Sequence, residues 1–528
     1  MIMNMKQKYV FALIAVLSGL TATAQSFTSY DAFNFTNTQL NGTARFVGVG
    51  GAMGALGGDA TTMFYNPAGI GIYRSSEITA SLNVHWNNNT IGNCGKNVFT
   101  TANLENVSYV GQWAIGASKG KTNGLIGISF GASYNRVRNM DKNGSYSHSK
   151  DYSKSQFLAR DSYNQDKQYL NKDNFNNNAI GYRAILGYET YLTDIDENKY
   201  SPENPFIYKS YYDAIGGGGV TDNVFFTERG HIDEFAISLA GNVSDIFYLG
   251  MSFVCDFMDY RRTEDYGETF VNGCKMNTSN TLNARGTGFT YKVGFIVRPT
   301  NWLRIGGAYH TPSYYRESSS NYSSAQADLK LPITGERKNI GIDTPISSEN
   351  GYINGPMKAL GSIGFLLGKY GFIGIEYEWA NVSGMVIKNS YGRVNTTMNE
   401  QTKGFFCDTH TARLGLEVKP IDEMSIRLGG GYTTAPMKEE AARLYYSTDT
   451  RFDTHYINYG PSYNVTAGLG YRIGRHSLDL AYIWQVNDGK YYEFIGNDDS
   501  SVGPTFSVSP MSYHNVRNQI YLTYSVRF

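Results

Sequence analysis

The chain has 528 residues, with Lys+Arg and Asp+Glu at 46 each, so its net charge offers no attraction for nucleic acid or for an acidic partner. Charged residues make up only 17%, while Gly numbers 58, Tyr 42 and Pro 13, a balance that suits many strands and excludes a disordered chain. Cys94, Cys255, Cys274 and Cys407 lack C-x-x-C spacing and are too sparse for a disulfide scaffold; in an exported protein their pairing stays open.

Lys6 and Lys8 precede an apolar run over residues 9–20, and Ala22 and Ala24 then supply the A-x-A spacing of a secretory cleavage site. Residues 1–24 read as a signal peptide, with the mature chain starting near Gln25. No later window approaches the roughly 20 consecutive apolar residues of a membrane helix. A membrane-embedded form of this chain would therefore be a barrel.

Residues 25–75 come before any strand and contain "GTARFVGVGGAMGALGGDATTMFYNPAGIGIY", with glycines at 48, 50, 51, 54, 57 and 58. Glycine allows close backbone approach and tight turns. Pro67 fixes its own φ and disfavours a helical Asn66, whose side chain can close an Asx-type turn before Ala68 and Gly69.

From residue 76 onward the pattern changes to strict alternation. In "EITASLNVHW", Ile78, Ala80, Leu82, Val84 and Trp86 share one face, with Glu77, Thr79, Ser81, Asn83 and His85 on the other. The pattern recurs to the C-terminus and predicts about fourteen strands, each near the ~10 residues that a tilted strand needs to cross the hydrocarbon layer. Brief links such as "RPTN", "KPIDE" and "GRH" alternate with long polar insertions, the largest over residues 139–230. Short turns at one end and long loops at the other predict an all-β transmembrane antiparallel barrel over residues 76–528, with both termini in the periplasm. The terminal Phe528, on a face with Val526 and Tyr524, resembles the aromatic-ended strand by which assembly machinery recognises such barrels.

Charges facing lipid near the midplane cost up to about 2 to 4 kcal/mol, which fixes the register. Glu376 and Glu378 must point inward and Ile373, Ile375, Tyr377 and Trp379 outward. By the same rule Lys292, Arg304, Arg413, Glu417, Arg427, Arg472, Asp479 and Gln485 line the lumen. Leu414, Leu416, Ile426, Leu428, Leu469, Leu478, Leu480, Tyr482 and Trp484 face lipid. A barrel this wide would stay wet unless something filled it. Residues 25–75 are the segment available, so they read as a plug inside the lumen.

Other chemistry finds little support. Gly127-Ile128-Ser129-Phe130-Gly131 spells G-x-S-x-G, yet a nucleophile elbow needs a strand-to-helix turn and Ser129 lies inside an alternating strand. The eight histidines are scattered without metal-ligand spacing, and "VGVGGAMG" lacks the lysine of a phosphate loop. No enzyme activity and no cofactor are expected.

The plug segment resembles the N-terminal hatch of the FadL/TodX-type outer-membrane transporters, with Asn66, Pro67 and Ala68 matching that family's Asn-Pro-Ala motif. Downstream, "GTGFTYKVGFIVRPTNWLRIGGAYHTP", "GFIGIEYEWANVSG" and "TARLGLEVKPIDEMSIRLGGGYTTAP" resemble the family's later strands and hairpins in order and spacing. The resemblance covers nearly the whole mature chain. It implies an outer-membrane channel for passive uptake of long-chain fatty acid-like or aromatic molecules. These would be held in an apolar pocket against the plug (Phe64, Asn66, Pro67, Ala68 and Gly69 here) and released sideways into membrane lipid through a gap in the wall. That gap goes with a kinked third strand, for which Gly124, Gly127 and Gly131 are the candidates, and Lys292 and Arg304 are the candidate pocket cations. Two rivals remain: a protein-interaction or secretion-associated barrel, which the long insertion would serve, and a general diffusion pore, which a plug disfavours.

Overall fold

The structure is a computed structural model that describes residues 28–115, 123–177, 180–199, 206–443 and 449–528. The expected signal peptide lies outside the described residues. Fourteen strands form a closed antiparallel barrel. In chain order they begin with β1 (Glu77–Ile91), β2 (Asn97–Ala114), β3 (Leu125–Asn139), β4 (Val220–Val243) and β5 (Phe247–Phe270). Next come β6 (Lys275–Val297), β7 (Leu303–His310), β8 (Lys358–Leu366), β9 (Gly371–Ala380) and β10 (Thr409–Ile421). The wall finishes with β11 (Met424–Thr433), β12 (Tyr456–Ile473), β13 (His476–Tyr492) and β14 (Met511–Arg527). Closure is by β1 against β14, in register from Glu77↔Arg527 to Ile91↔Tyr513.

Alternation holds as the charge argument requires. Glu376 and Glu378 are buried while Ile375 and Tyr377, between and beside them, are about half exposed. Leu414 is 57% exposed and Glu417 1%. Leu82, Leu249, Met251, Phe253, Val293, Leu428, Leu480 and Leu522 continue the exposed apolar band around the barrel. A bilayer stabilises such a surface, at about 25 cal/mol per Å² of apolar area withdrawn from water.

Two expectations are corrected. The large insertion ends well before residue 230, because β4 starts at Val220; β4, β5 and β6 have 24, 24 and 23 residues, far more than a bilayer needs. Apart from Phe225, their outward residues turn polar beyond Phe235, Phe257 and Phe289, so the extra length is a wall rising above the apolar band at the loop end. Inside that wall sits a cap carrying helices Lys154–Asp161, Tyr182–Glu189 and Tyr211–Ala214, packed on Phe157, Leu158, Ile185, Leu186, Phe270 and Phe494. The second correction concerns the first described residues, which were expected near the periplasmic, turn end. Helix α1 (Ser29–Thr36) is instead buried in the loop-end half of the lumen: Phe35 packs on Tyr260, and Tyr30 Oη accepts from Ile457 N. The chain then descends to the turn end before entering β1.

A buried ion cage holds α1 in place. Asp31 meets Arg451 at 2.6 Å and Arg443 at 3.4 Å, and Asp453 bonds both arginines and also Arg262. Burial works against the Asp31 charge, but the two guanidinium groups outweigh it and hold the carboxyl below its ordinary value. Asp453 is depressed for the same reason. Folded values below the unfolded ~3.9 mean that this stabilisation is complete above about pH 4 and is lost as pH falls through the folded values. Hydrogen exchange of residues 29–36, corrected for intrinsic rate, should therefore match at pH 7 and pH 5. Asp31→Asn leaves two arginines short of a counter-charge, about 3 to 5 kcal/mol, and should raise exchange of α1 at both pH values.

Candidate functional site

The plug fills the turn-end half of the lumen with short elements suited to its composition. Helix α2 (Ala44–Gly48) is capped by Thr43, and α3 (Thr62–Tyr65) runs into an extended Asn66 (φ −131°, ψ 99°). A 3₁₀ turn (Pro67–Ile72) follows, with Pro67 at its first position, where a missing N–H costs nothing. Asn66 is the junction. Its Oδ1 accepts from Ala68 N at 3.2 Å, and its Nδ2 donates to Gly54 O at 2.7 Å and to Phe295 O of β6 at 3.0 Å. One side chain thus closes the turn, ties it to the glycine-rich loop and fastens both to the wall.

Further bonds fix the plug around its circumference. Ser252 Oγ donates to Met63 O, His310 Nε2 to Tyr65 O and Thr466 Oγ1 to Gly48 O, at 2.8, 2.7 and 3.1 Å. Ala44 N donates to Thr523 Oγ1 at 2.7 Å. The inward charges read from the sequence serve the same purpose. Glu376 accepts from Gly54 N (2.9 Å) and from Arg413 (2.7 Å), which also holds Glu378 at 2.7 Å. Arg427 bridges Glu417 (2.7 Å) and Asp479 (2.5 Å), and Glu417 also meets Arg45 of the plug at 3.3 Å.

The two candidate pocket cations separate. Arg304 Nη1 donates to Leu56 O at 2.5 Å, so it anchors the plug. Lys292 pairs with Glu234 at 2.8 Å, stands 5.5 Å over the Phe64 ring, and lines a lumen cavity of about 40 Å³ directly above the plug. That cavity also contacts Tyr65, His310, Lys358 and Glu378. It is charged rather than apolar, and of about the size one or two waters occupy. Phe64 itself packs into a closed cluster with Met63, Ile70, Val110 and Val254, and Ala68 packs with Tyr248 and Ile296. Arg472 departs from its expected lumen position: it is exposed at the β12–β13 turn, with Nε donating to Gly474 O.

The wall contributes glycines that sequence reasoning passed over. A Cβ on Gly250 would clash with Pro67, on Gly294 with Asn66, on Gly374 with Ala52, on Gly415 with Val49 and on Gly429 with Gly50. The signal was present, since glycine recurs at inward positions in the turn-end halves of these strands. Gly131 belongs to this set, because its Cβ would clash with Met63. It is fully laddered, to Val110 and Ser238, so it makes no kink. Gly127 lies beside a register shift at residue 126 yet still pairs with Ala114 and Asn242.

The wall opens elsewhere on β3. The β2–β3 ladder ends at Asn106↔Asn135, and β3 stays on β4 through a register shift between Arg136 and Arg138. Residues 97–105 of β2 keep a strand ladder only with β1. The chain then turns into the lumen, where Asn87 and Asn89 of β1 donate to Asp141 O and Asn143 O at 2.7 and 3.0 Å. Among the described residues side chains span this seam: Arg136 joins Asn103 to Asp233, each at 2.8 Å, Ser145 Oγ donates to Asn97 Oδ1 at 2.7 Å, and Arg229 lies 3.8 Å over the Phe99 ring.

Two chemical alternatives meet their geometry here. Ser129 pairs with Gln112 and Ala240 in mid-strand, away from any elbow. Donor atoms of His148, Asp222 and Glu493 converge in the cap. Lys150 Nζ already pairs with two of the three, at 2.5 Å from Glu493 and 3.2 Å from Asp222.

A membrane-type barrel of fourteen strands, plugged by its own N-terminal segment and parted at its third strand, defines the structural class. Its fold is that of the FadL/TodX-type channels. It superposes on a Pseudomonas aeruginosa FadL homologue with TM-score 0.54 and 13% identity, covering 93% of this chain and 100% of that one. For the P. putida toluene transporter TodX the values are 0.50 and 10%, over 92% and 99%. No protein-family model and no curated protein matches the sequence.

Gly294→Ala should drive Asn66 off Phe295 and loosen the plug, and Asn66→Ala should do so more gently by removing three hydrogen bonds of about 1 kcal/mol each. Both variants should keep the heat-modifiable gel mobility of a folded barrel while showing frequent open events in planar bilayers where the wild type is quiet.

Proposed function

We propose that this chain is a bacterial outer-membrane channel for passive uptake of hydrophobic small molecules, fatty acid-like or aromatic, admitted from the loop end and released sideways at the β2–β3 seam. The observation that carries the reading is the pairing of an obstructed lumen with a parted wall. An apolar solute crossing a water-filled pore gains nothing, and each methylene it exposes to water costs about 0.8 kcal/mol. A lateral exit lets it pass from protein to acyl chains directly. The fold likeness to channels described as a FadL homologue and a toluene transporter supports the same class of cargo.

The plug conformation described here is closed, because ligand pockets of this kind run to ~300 Å³ or more and the cavity above Phe64 is about 40 Å³. Ligand must therefore displace Phe64, Tyr65 and the Asn66–Gly69 turn, with Lys292 and Lys358 available to an anionic head group. Recognition of exposed Phe528 by outer-membrane assembly machinery belongs to the same reading. A general diffusion pore is not favoured, since the plug is bonded to the wall on all sides.

Proteoliposomes containing the protein should take up a labelled long-chain fatty acid or toluene faster than empty vesicles. Bridging cysteines introduced at Asn103 and Arg136 with a short bis-maleimide should abolish that uptake, whereas Arg136→Ala should accelerate it severalfold. Uptake unaffected by the bridge would refute lateral release.

A further inference from the structure

The outer face of the wall carries a second feature, unconnected with the lumen. Beyond β7 the chain continues as strand Tyr314–Lys330, which pairs with β6 on one side and with Ser347–Asn354 on the other. Ser347–Asn354 in turn pairs with Val386–Lys388. In this sheet Thr287, Arg316, Tyr352 and Lys388 form one cross-strand row, since each pairs with the next. One row nearer the turn end, Phe289 and Tyr314 pair, their rings 5.3 Å apart and both exposed. These two rings mark the upper edge of the apolar band, because the outward residues of β6 above them are Thr287, Arg285 and Asn283.

These two rows wall a groove of about 460 Å³. Its lining includes Arg316 and Lys388 and no carboxylate. Neither cation has a hydrogen-bond or ion-pair partner among the described residues. Other cations on this wall are paired, Arg285 with Asp259, Arg136 with Asp233 and Arg337 with Asp328. Two free cations flank a tyrosine, one residue row above an aromatic pair that faces acyl chains. Charge and position together match one amphiphile: an anionic head group at the membrane surface above hydrocarbon chains. Clustered Lys and Arg at this depth each add roughly 1 kcal/mol toward anionic lipid, and aromatic side chains hold the interface level.

We infer that the Arg316–Tyr352–Lys388 row is a binding site for a phosphorylated, acylated lipid of the outer leaflet, with phosphate on the two cations and a chain along Phe289 and Tyr314. The site rests only on the barrel facing a bilayer and is independent of what the channel transports. Native mass spectrometry of the detergent-purified protein titrated with bis-phosphorylated lipid A tests it, with the dephosphorylated lipid and inorganic phosphate as separate arms. The phosphorylated lipid should bind about tenfold or more tightly than its dephosphorylated form, and inorganic phosphate at the same concentration should not displace it. The Arg316→Gln/Lys388→Gln double variant should lose that preference, while Arg285→Gln, a paired cation off the groove, should keep it. Equal binding of both lipids to the wild type, a preference that survives in the double variant, or displacement by phosphate alone would each overturn the assignment. The lipid comparison on the wild-type protein decides the matter even if the double variant folds poorly.

Discussion

The constraint on which this structure rests is that a strand has two faces and a closed sheet has two surfaces. Lipid leaves no backbone group unpaired, since each would cost several kcal/mol, so the wall must close on itself. Once it closes with fourteen strands, it encloses more space than its own inward side chains can fill. The outer surface is settled by hydrophobic burial alone. The inner surface is settled by what fills it, and here that is the chain's own first fifty described residues and the cap.

Filling a polar cylinder with backbone demands close approach, and two devices supply it. Glycines of the wall at 250, 374, 415 and 429 let plug backbone lie where side chains would stand, and Gly294 does the same for the Asn66 side chain. Charged side chains then satisfy the plug's peptide groups, as Glu376 does for Gly54 and Arg304 for Leu56. Buried ion pairs seldom stabilise more than well-packed apolar residues would, because desolvation offsets their attraction. Their value here is placement: Arg413 between Glu376 and Glu378, or Asp31 between Arg443 and Arg451, tolerates only one arrangement of the segments it joins. Removing one partner costs far more than the pair contributes.

How much of this was legible follows from where the period-two signal is clean. Within the apolar band, outward leucines and inward charges alternate, so strands, register and inward charges such as Glu376 and Arg427 could be read directly. Above the band the outward face is mostly polar too, and Thr221, Asn223, Thr227 and Arg229 of β4, with only Phe225 among them, look like loop, so the insertion reads as running ten residues too far. The burial of α1 at the loop end depends on partners more than 400 residues away, Arg443, Arg451 and Ile457, which no local pattern encodes. Gly131 shows a different limit. A glycine in a strand permits either a kink or a close neighbour, and only the position of Met63 decides between them.

The parted wall and the plug are not separate features, because the strand that leaves the wall is bonded to the segment that leads into the plug. Gln39 N donates to Val137 O and Asn41 Nδ2 to Arg136 O, both at 3.0 Å, and Arg138 donates to Asn34 O at 2.6 Å. Arg136 itself spans the seam to Asn103. A shift of the plug therefore pulls on the residue that closes the seam, through bonds each worth about 1 kcal/mol and therefore breakable by a ligand of modest affinity. Under the uptake reading this answers how a closed lumen and a narrow seam could open together. A ligand that displaces the Asn66 turn need not also force the wall, since the same movement withdraws support from Arg136 and Val137. Coupling of this kind requires two arrangements of one packed element rather than a continuous path, and the segment from Asn34 to Asn41 is the element that both sites share.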